Sequence, residues 1–509
     1  MATTIVESSD LKTIAEAFET ANTKLKEDPQ DTDALFVRAV SSEKLLLLED
    51  AKSDYQKYLA IKSNPSYSTE VSKRLKDVNE QLSTLTVKEH TRYEQVDQYI
   101  DDYLAALRTG NNIEAANALA SAEQIATKIS VKTGDKYGKD LINFYRVISN
   151  NGVKPIYEAR KILLEIESRI VTDNLSSDVE KLSNIKTLFE QYNANLEVAR
   201  TNIQIAKCQL KLGELDLAQA LLTKSLQEAN QRDHLYIQTQ LLHRQGQYYA
   251  EVSNLNAAIE SLKKAAVIAK IIDVPQLLIS PTATLSTLFY IANDNQQAFE
   301  YGHEALSGAR AIDSVSTIQI TQVLGGAVFN LSYKSLGEYY LLTSIAAAEK
   351  HRVNSNLALS HSLLGIIKAE QGLFDEGDLI FQTASTIVNN IQDEKTNKRL
   401  SFIVTGRTAR ANMLAGRVDK AIALYEQTIE LAKQVNAQQI LALSQAHQGL
   451  AECLIARNDL PRAKKELEIA LELDSKAKAN SEQQNSLLTL AVTHKSCQEQ
   501  MRLLQERTN

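Results

Sequence analysis

The chain has 509 residues, with 63 acidic and 56 basic side chains and a formal net charge of −7. This balance offers no basic excess to hold a phosphate backbone and argues against nucleic acid as a partner. Only 6 Pro and 17 Gly punctuate a sequence rich in Ala, Leu, Glu, Gln and Lys, which favour helices, so we expect an all-α protein.

The first predicted unit covers 1–84. Its apolar periodicity predicts one helix near 11–26, a helix pair within 31–65 and a further helix near 68–84. Residues 84–90 are polar and weakly periodic, which indicates a joint. The sequence therefore predicts an N-terminal helical unit that ends at this joint.

The second predicted region, 85–195, combines helical hairpins with long amphipathic helices. Gly110 marks a turn between two helices, and Pro155 is placed in the first turn of the helix that covers 155–171. The loop 134–140, GDKYGKD, has three residues between Gly134 and the Gly138-Lys139 pair and lacks the Ser or Thr of a phosphate loop. We interpret it as a surface loop.

The third predicted region, 196–475, is a regular array. Ala218, Ala258 and Ala298 lie 40 residues apart, and Gly377, Ala421 and Ala463 continue the same place in later units. The two glycines of LGGAVF, 324–329, indicate close helix packing or a kink in a less clear unit. The remaining segment, 476–509, is predicted to be a polar capping helix.

Within each unit, small residues fall where two antiparallel helices must approach closely. Gly246, Ala258 and Ala265 are small in one unit, with the bulky Leu262 beside them. The turn between the two helices is assigned to Gly213, Gly372 and Gly416, because glycine adopts a positive φ at little steric cost.

The spacing of Gly365, Gly372, Phe381 and Ala384 resembles the tetratricopeptide repeat superfamily. The resemblance covers most of 190–475 and the pair at 31–65. It implies a right-handed superhelical solenoid of about nine helical hairpins, which binds a peptide segment or a protein surface in a concave groove. It implies no reaction chemistry, so we expect a non-catalytic scaffold or adaptor rather than an enzyme, with no cofactor and no metal.

The order of segments also resembles bacterial proteins in which these repeats precede a caspase-like CHAT protease domain. The resemblance is based on 33–61, 65–75, 118–136 and the later repeats. No alternating β pattern or His and Cys pair for that domain is found in this chain, so its proteolysis is not carried over. The alternative function is therefore a regulatory or sensor subunit of a separately encoded CHAT-type protease.

The candidate partner-binding residues are those that the repeat register places on the inner face of the groove. They are Arg200, Lys207, Lys211, His243, Gln247, Arg407, Arg410, Gln448 and Glu452. Their mixed, partly basic character suits an acidic or extended peptide, while the alternative for each is a solvated helix surface. The Lys and Asn pattern that clamps a chaperone's terminal carboxylate is absent.

The remaining features of the sequence bound the cellular setting. Three widely spaced cysteines suggest buried apolar residues or inert thiols in a reducing compartment, and no secretion signal or long apolar run is found. We expect a cytoplasmic protein with no membrane partner. A peptide-sensing transcription regulator is disfavoured, because neither terminus resembles a basic recognition helix.

Overall fold

The computed structural model describes residues 2–61, 67–84, 91–168, 175–252, 254–311, 315–433 and 440–482. These residues form α-helices and contain no β-strand, which confirms the all-α prediction for the described part of the chain. The helices belong to two compact units: unit 1 comprises Met1–Thr86 and Leu285–Asn509, and unit 2 comprises Val87–Thr284. Unit 1 is therefore built from two separate stretches of sequence.

The helices follow one another with short turns. In the first stretch of unit 1 they are α1 Ala2–Glu7, α2 Leu11–Glu27, α3 Thr32–Lys44, α4 Leu48–Ala60 and α5 Ser68–Thr84. In unit 2 they are α6 Arg92–Thr109, α7 Asn112–Thr133, α8 Tyr137–Arg146, α9 Asn150–Ser168, α10 Leu175–Gln191, α11 Asn195–Leu212, α12 Leu215–Gln231, α13 Leu235–Glu251 and α14 Leu255–Ile271. Helix α15, Pro275–Ile291, crosses the boundary between the units. In the second stretch of unit 1 they are α16 Asn295–Ala311, α17 Ser316–Asn330, α18 Lys334–His351, α19 Asn354–Glu370, α20 Phe374–Asn389, α21 Glu394–Leu414, α22 Val418–Ala432, α23 Ile440–Ala456 and α24 Leu460–Glu482. The predicted capping segment, 476–509, lies largely outside the described residues.

Small residues hold the two helices of each hairpin together, as predicted. The five alanines at the recurring position are fully buried: Ala218, Ala258, Ala298, Ala421 and Ala463. In the less clear unit, Gly337 of α18 takes this place, and a Cβ there would lie 2.9 Å from the Gly325 carbonyl oxygen. The close packing predicted for LGGAVF is confirmed, since a Cβ at Gly325 would lie 2.7 Å from Leu341 Cγ.

Residues with positive φ recur at the turns between helices. The three predicted glycines have positive φ, +81° at Gly213, +80° at Gly372 and +70° at Gly416. The same left-handed conformation occurs at residues other than glycine, namely Leu46, Asn193, Asp233, Asp273, Asn293, Ser332, Arg352 and Asn458. After Gly213, the Glu214 N–H donates back to the Gln209 carbonyl at 2.9 Å, which closes the helix in a Schellman-type cap.

Two local predictions for unit 2 are wrong. Helix α9 begins at Asn150, so Pro155 lies inside the helix rather than in its first turn. A proline has no N–H for the carbonyl four residues earlier, and here the Tyr192 hydroxyl donates to that Asn151 oxygen at 3.4 Å. The ring also packs on Gly152, where a Cβ would lie 2.9 Å from Tyr192 Cε1. A tyrosine from α10's end thus compensates for the proline.

The second wrong prediction for unit 2 concerns the loop GDKYGKD, 134–140. Its Asp135 is 1% exposed and α8 already begins at Tyr137, so the loop is not simply a surface loop. The Asp135 carboxylate accepts hydrogen bonds from the Tyr93 hydroxyl at 2.7 Å and from the backbone N–H groups of Tyr137, Leu235 and Tyr236 at 3.0, 3.0 and 3.1 Å. These bonds tie the loop to the start of α13, because a buried carboxylate must be satisfied.

In unit 1, the N-terminal helices pack against the second stretch of the same unit. The Tyr340 hydroxyl of α18 donates to the Leu45 carbonyl oxygen at 2.9 Å. Phe18 of α2 meets Tyr339 of α18 edge to face, with ring centroids 5.2 Å apart. The predicted linear repeat order did not indicate this contact across about 300 residues of sequence.

Candidate functional site

The predicted groove residues lie on the first helices of their hairpins. These helices pack side by side, α11 against α13 in unit 2, and α17, α19, α21 and α23 in succession in unit 1. We call the outward surface of these helices the groove face of each unit. The nine residues form two sets, Arg200, Lys207, Lys211, His243 and Gln247 in unit 2, and Arg407, Arg410, Gln448 and Glu452 in unit 1.

Arg200 is not available to a partner. Its side chain is 7% exposed, and it donates to Asp97 Oδ1 at 2.9 Å and to Glu167 Oε2 at 2.8 Å. Helices α6 and α9 supply these carboxylates and cover this part of α11. The prediction of a groove role for Arg200 is therefore corrected to a structural role.

The other basic residues of α11 lie near a cation that the sequence argument missed. Burial lowers the pKa of Lys207, and the nearby positive charges of Arg244 and Lys211 lower it further. Arg244 lies on α13 and is partly exposed, and its Nη1 donates to Gln247 Oε1 at 2.8 Å. Burial lowers the pKa of Arg244 to about 10. Lys207, Lys211 and Arg244 form a concentration of positive charge that we call the α11–α13 cation set.

His243 lies beside this set but carries no charge. It is 8% exposed, and its Nε2 lies 3.3 Å from Thr284 Oγ1. Burial lowers the pKa of His243 well below its ordinary value, and the Arg244 charge adds to this effect. His243 therefore contributes a neutral polar group, and its partner shows that much of its polarity is already used inside the unit.

Arg407 is the most distinctive residue of the groove face of unit 1. Its Nη1 donates to Ser362 Oγ at 2.6 Å and to the Leu359 carbonyl oxygen at 3.2 Å, both on α19. Among the described residues, no carboxylate lies within ion-pair distance of it. Burial lowers the pKa of Arg407, so the cation is partly removed from water without a negative partner.

An aromatic side chain lies on the same face. A Cβ at Gly326 of α17 would lie 2.5 Å from Tyr290 Oη, so the phenol rests directly on the α17 backbone. The Tyr290 phenol also acts electrostatically on Arg407. Gly326 thus allows an aromatic ring and a fixed guanidinium to share one surface spanning α17 to α21.

The other predicted residues of unit 1 differ in their surroundings. Arg410 is exposed and pairs with Glu370 Oε1 at 2.9 Å. Gln448 is 9% exposed and its Nε2 lies 3.4 Å from Ser444 Oγ, so it is engaged within α23. Glu452 is partly exposed. Arg407 is the member of this set whose charge is both partly buried and unbalanced.

The repeat pattern did not indicate Arg244, Tyr290 or the role of Ser362. Arg244 could have been found from its position three residues before Gln247, which places both on one helix face. Ser362 and Arg407 belong to consecutive first helices, 45 residues apart, and no sequence pattern reports that their side chains meet.

Within the described residues, no helix is both long and apolar enough to span a bilayer. In the same part of the chain, His, Cys, Asp and Glu side chains form no group of three or more that could hold a metal ion.

Neither a protein-family model nor a curated protein matches the chain. Solved structures are similar at low identity. A Rap protein complexed with competence and sporulation factor is 15% identical, with 70% of this chain and 99% of that chain covered and a TM-score of 0.44. Aspartyl phosphate phosphatase F from Bacillus subtilis is 14% identical, with 76% and 95% covered and a TM-score of 0.46. The Cut9-Hcn1 hetero-tetramer of the APC/C is 15% identical, with 92% and 76% covered and a TM-score of 0.41.

Proposed function

We propose that the protein is a non-catalytic scaffold or adaptor that binds an extended protein segment on the groove face of unit 1. Arg407 carries the proposal: it is a partly buried guanidinium with no carboxylate partner among the described residues. A carboxylate on the bound segment would supply the missing charge. As predicted from the sequence, the proposed location is the cytoplasm.

The physical reason lies in the cost of an unbalanced charge. Removing a cation from water is unfavourable unless an anion or several acceptors replace the solvent. Two neutral oxygens on α19 contact only Nη1, whereas a guanidinium has five N–H donors. The remaining donors suit a carboxylate, which arginine binds through two parallel hydrogen bonds.

The surroundings of Arg407 support recognition of a chain segment rather than of a lone ion. Ser362 and Leu359 fix one edge of the guanidinium, so less side-chain freedom is lost when a ligand binds. Tyr290 adds a flat apolar surface on the same face, and tyrosines serve well as anchors in interfaces.

The test begins with affinity purification of partners on the full chain, followed by quantitative binding of the identified partner. We expect Arg407→Gln to weaken that binding about tenfold or more, since a buried charge on the partner would lose its counter-ion. Arg410→Gln is the matched control: it removes the same charge three residues away from an exposed, already paired arginine, and binding should change by less than about twofold.

Equal effects of the two variants would remove Arg407 from the proposal, and unchanged binding in both would remove this face altogether. Circular dichroism and the unfolding midpoint of each variant check that the helices are intact.

The alternative predicted from the sequence, regulation of a separately encoded CHAT-type protease, stays a prediction. No feature of the described residues favours it. A caspase-like protease among the purified partners, lost with Arg407→Gln, would support it.

A further inference from the structure

The α11–α13 cation set brings three positive charges to the groove face of unit 2. Lys207 and Lys211 are one turn apart on α11 and therefore lie on the same side of the helix. Helix α13 packs against α11 and contributes Arg244. The charges act on one another, since Arg244 and Lys211 both lower the pKa of Lys207.

Arg244 has hydrogen-bonding capacity that the protein does not use. Its Nη1 donates to Gln247 on the same helix, while its Nε is buried and has no partner among the described residues. A buried donor without an acceptor destabilises the folded protein. The Arg244 guanidinium is therefore fixed at Nη1 by Gln247, while its Nε lacks an acceptor at a cost in stability.

The described carboxylates of unit 2 do not form an ion pair with Lys207 or Arg244. Glu167 acts on Lys207 from a distance, but it accepts its hydrogen bond from Arg200 at 2.8 Å. Asp178 acts electrostatically on Cys208, the residue next to Lys207. Among the described residues, no carboxylate lies within ion-pair distance of Lys207 or Arg244.

We propose that the α11–α13 cation set binds a phosphate group. A phosphate monoester carries close to two negative charges at neutral pH and three strong acceptor oxygens, which suits two lysines and a guanidinium better than a carboxylate does. The group comes either from a phosphorylated side chain on a bound protein segment or from free phosphate. The proposal adds a ligand chemistry in unit 2 to the proposed function and does not depend on Arg407.

The test uses the full chain and three probes: inorganic phosphate, a short neutral peptide with one phosphoserine, and the same peptide with unmodified serine. Isothermal titration calorimetry should show binding of inorganic phosphate in the millimolar range. The phosphoserine peptide should bind tighter and the unmodified peptide should not bind. Equal affinity for phosphate and phosphopeptide would assign the site to free phosphate.

Variants identify the residues. Lys207→Gln and Arg244→Gln should each weaken phosphate binding by about tenfold, the loss expected for one charge-assisted hydrogen bond. Lys224→Gln removes the same charge from an exposed residue of α12 and should bind phosphate like the wild type. Arg407→Gln should also bind normally, which separates a failure of this proposal from a failure of the proposed function.

A second measurement excludes a merely structural role. Without phosphate, Lys207→Gln should be at least as stable as the wild type, because it removes a like charge from Arg244. With phosphate added, the unfolding midpoint of the wild type should rise and that of the variant should not. The proposal would be overturned if the wild type did not bind phosphate, or if Lys207→Gln and Arg244→Gln bound phosphate as tightly as the wild type.

Discussion

A buried arginine organises the centre of unit 2. Arg160 is 1% exposed, and it donates to Asp101 Oδ1 at 2.8 Å and to Glu197 Oε1. The Tyr145 hydroxyl also donates to Glu197, at 2.6 Å. Burial opposes ionisation of Glu197, but the charges of Arg160 and Arg200 outweigh it and the pKa of that carboxyl falls below its ordinary value. The positive charges of Arg160 and Arg200 thus compensate the buried negative charge of Glu197.

We predict that Arg160→Met destabilises the protein by about 3–5 kcal/mol, because Glu197 would remain buried without this cation and the partly exposed Asp101 would also lose it. The free energy of unfolding in urea measures the loss. Arg146→Met is the matched control, since Arg146 pairs with Glu123 at 2.8 Å with both side chains about half exposed. That change should cost less than about 1 kcal/mol, and equal losses in the two variants would contradict the account.

This cluster also explains why one groove residue was misplaced. The repeat register assigned Arg200 to the inner side of α11, but it gave no information on what lies against its side chain, which is buried. Its partner Asp97 is 103 residues earlier, on α6. Hydrophobic periodicity reports that a helix has a buried face, whereas the identity of the covering element depends on contacts distant in sequence.

At the scale of the elements, the turns define the repeat more regularly than the glycines do. Left-handed residues at Asn193, Gly213 and Asp233 are 20 residues apart, and the same interval separates Ser332, Arg352 and Gly372. Each interval holds one helix of 17 or 18 residues and its turn. The sequence indicated only the glycine turns, because the other positions use residues that adopt positive φ at some cost.

Because a positive φ is unfavourable for residues other than glycine, we make two predictions of opposite sign. Gly213→Ala should destabilise unit 2 by about 1 kcal/mol, because φ is +81° and a Cβ there would meet no atom within 4 Å, so only backbone strain acts. Arg352→Gly should be neutral or stabilising by up to about 1 kcal/mol, because it relieves the same strain at an exposed residue with φ of 56°, although glycine also gains freedom in the unfolded chain. Urea unfolding measures both. A destabilising Arg352→Gly together with a neutral Gly213→Ala would refute the interpretation.

At the scale of the whole molecule, sequence order and spatial neighbourhood differ. A solenoid whose units contact only their neighbours can be read from its repeat period, and the described hairpins from α17 to α24 in unit 1 follow that rule among themselves. The contacts of α2 and α3 with α16 and α18 do not. The Leu336 N–H donates to Glu19 at 2.7 Å across 317 residues of sequence. No periodicity reports such a contact, so the hairpins of unit 1 could be predicted and its closure by the N-terminal helices could not.

This N-terminal contact contains a titratable group. His303 of α16 lies with its Nε2 2.8 Å from the Lys44 carbonyl oxygen, so the ring donates its Nε2 proton. Burial lowers the pKa of His303, and the bond to Lys44 only partly offsets this. The folded state therefore binds this proton less readily than the unfolded state. The contribution of the neutral His303 ring to stability is complete above the unfolded pKa of about 6.5, and it is lost as the pH falls toward the lower folded pKa.

We predict that acidification from neutral pH to about 5 loosens the contact of α3 with α16. Hydrogen exchange of the α3–α4 amides, corrected for the intrinsic rate at each pH, should show falling protection in the wild type and a smaller fall in His303→Gln, which keeps a donor but does not titrate in this range. His361, whose pKa burial also lowers, and Glu19, whose pKa burial raises, act equally in both proteins. Tyr340→Phe is the control for a non-titrating loss: it removes the donor to Leu45 and should lower protection at every pH without changing the slope. The same slope in wild type and His303→Gln would show that another group controls the acid response of this contact.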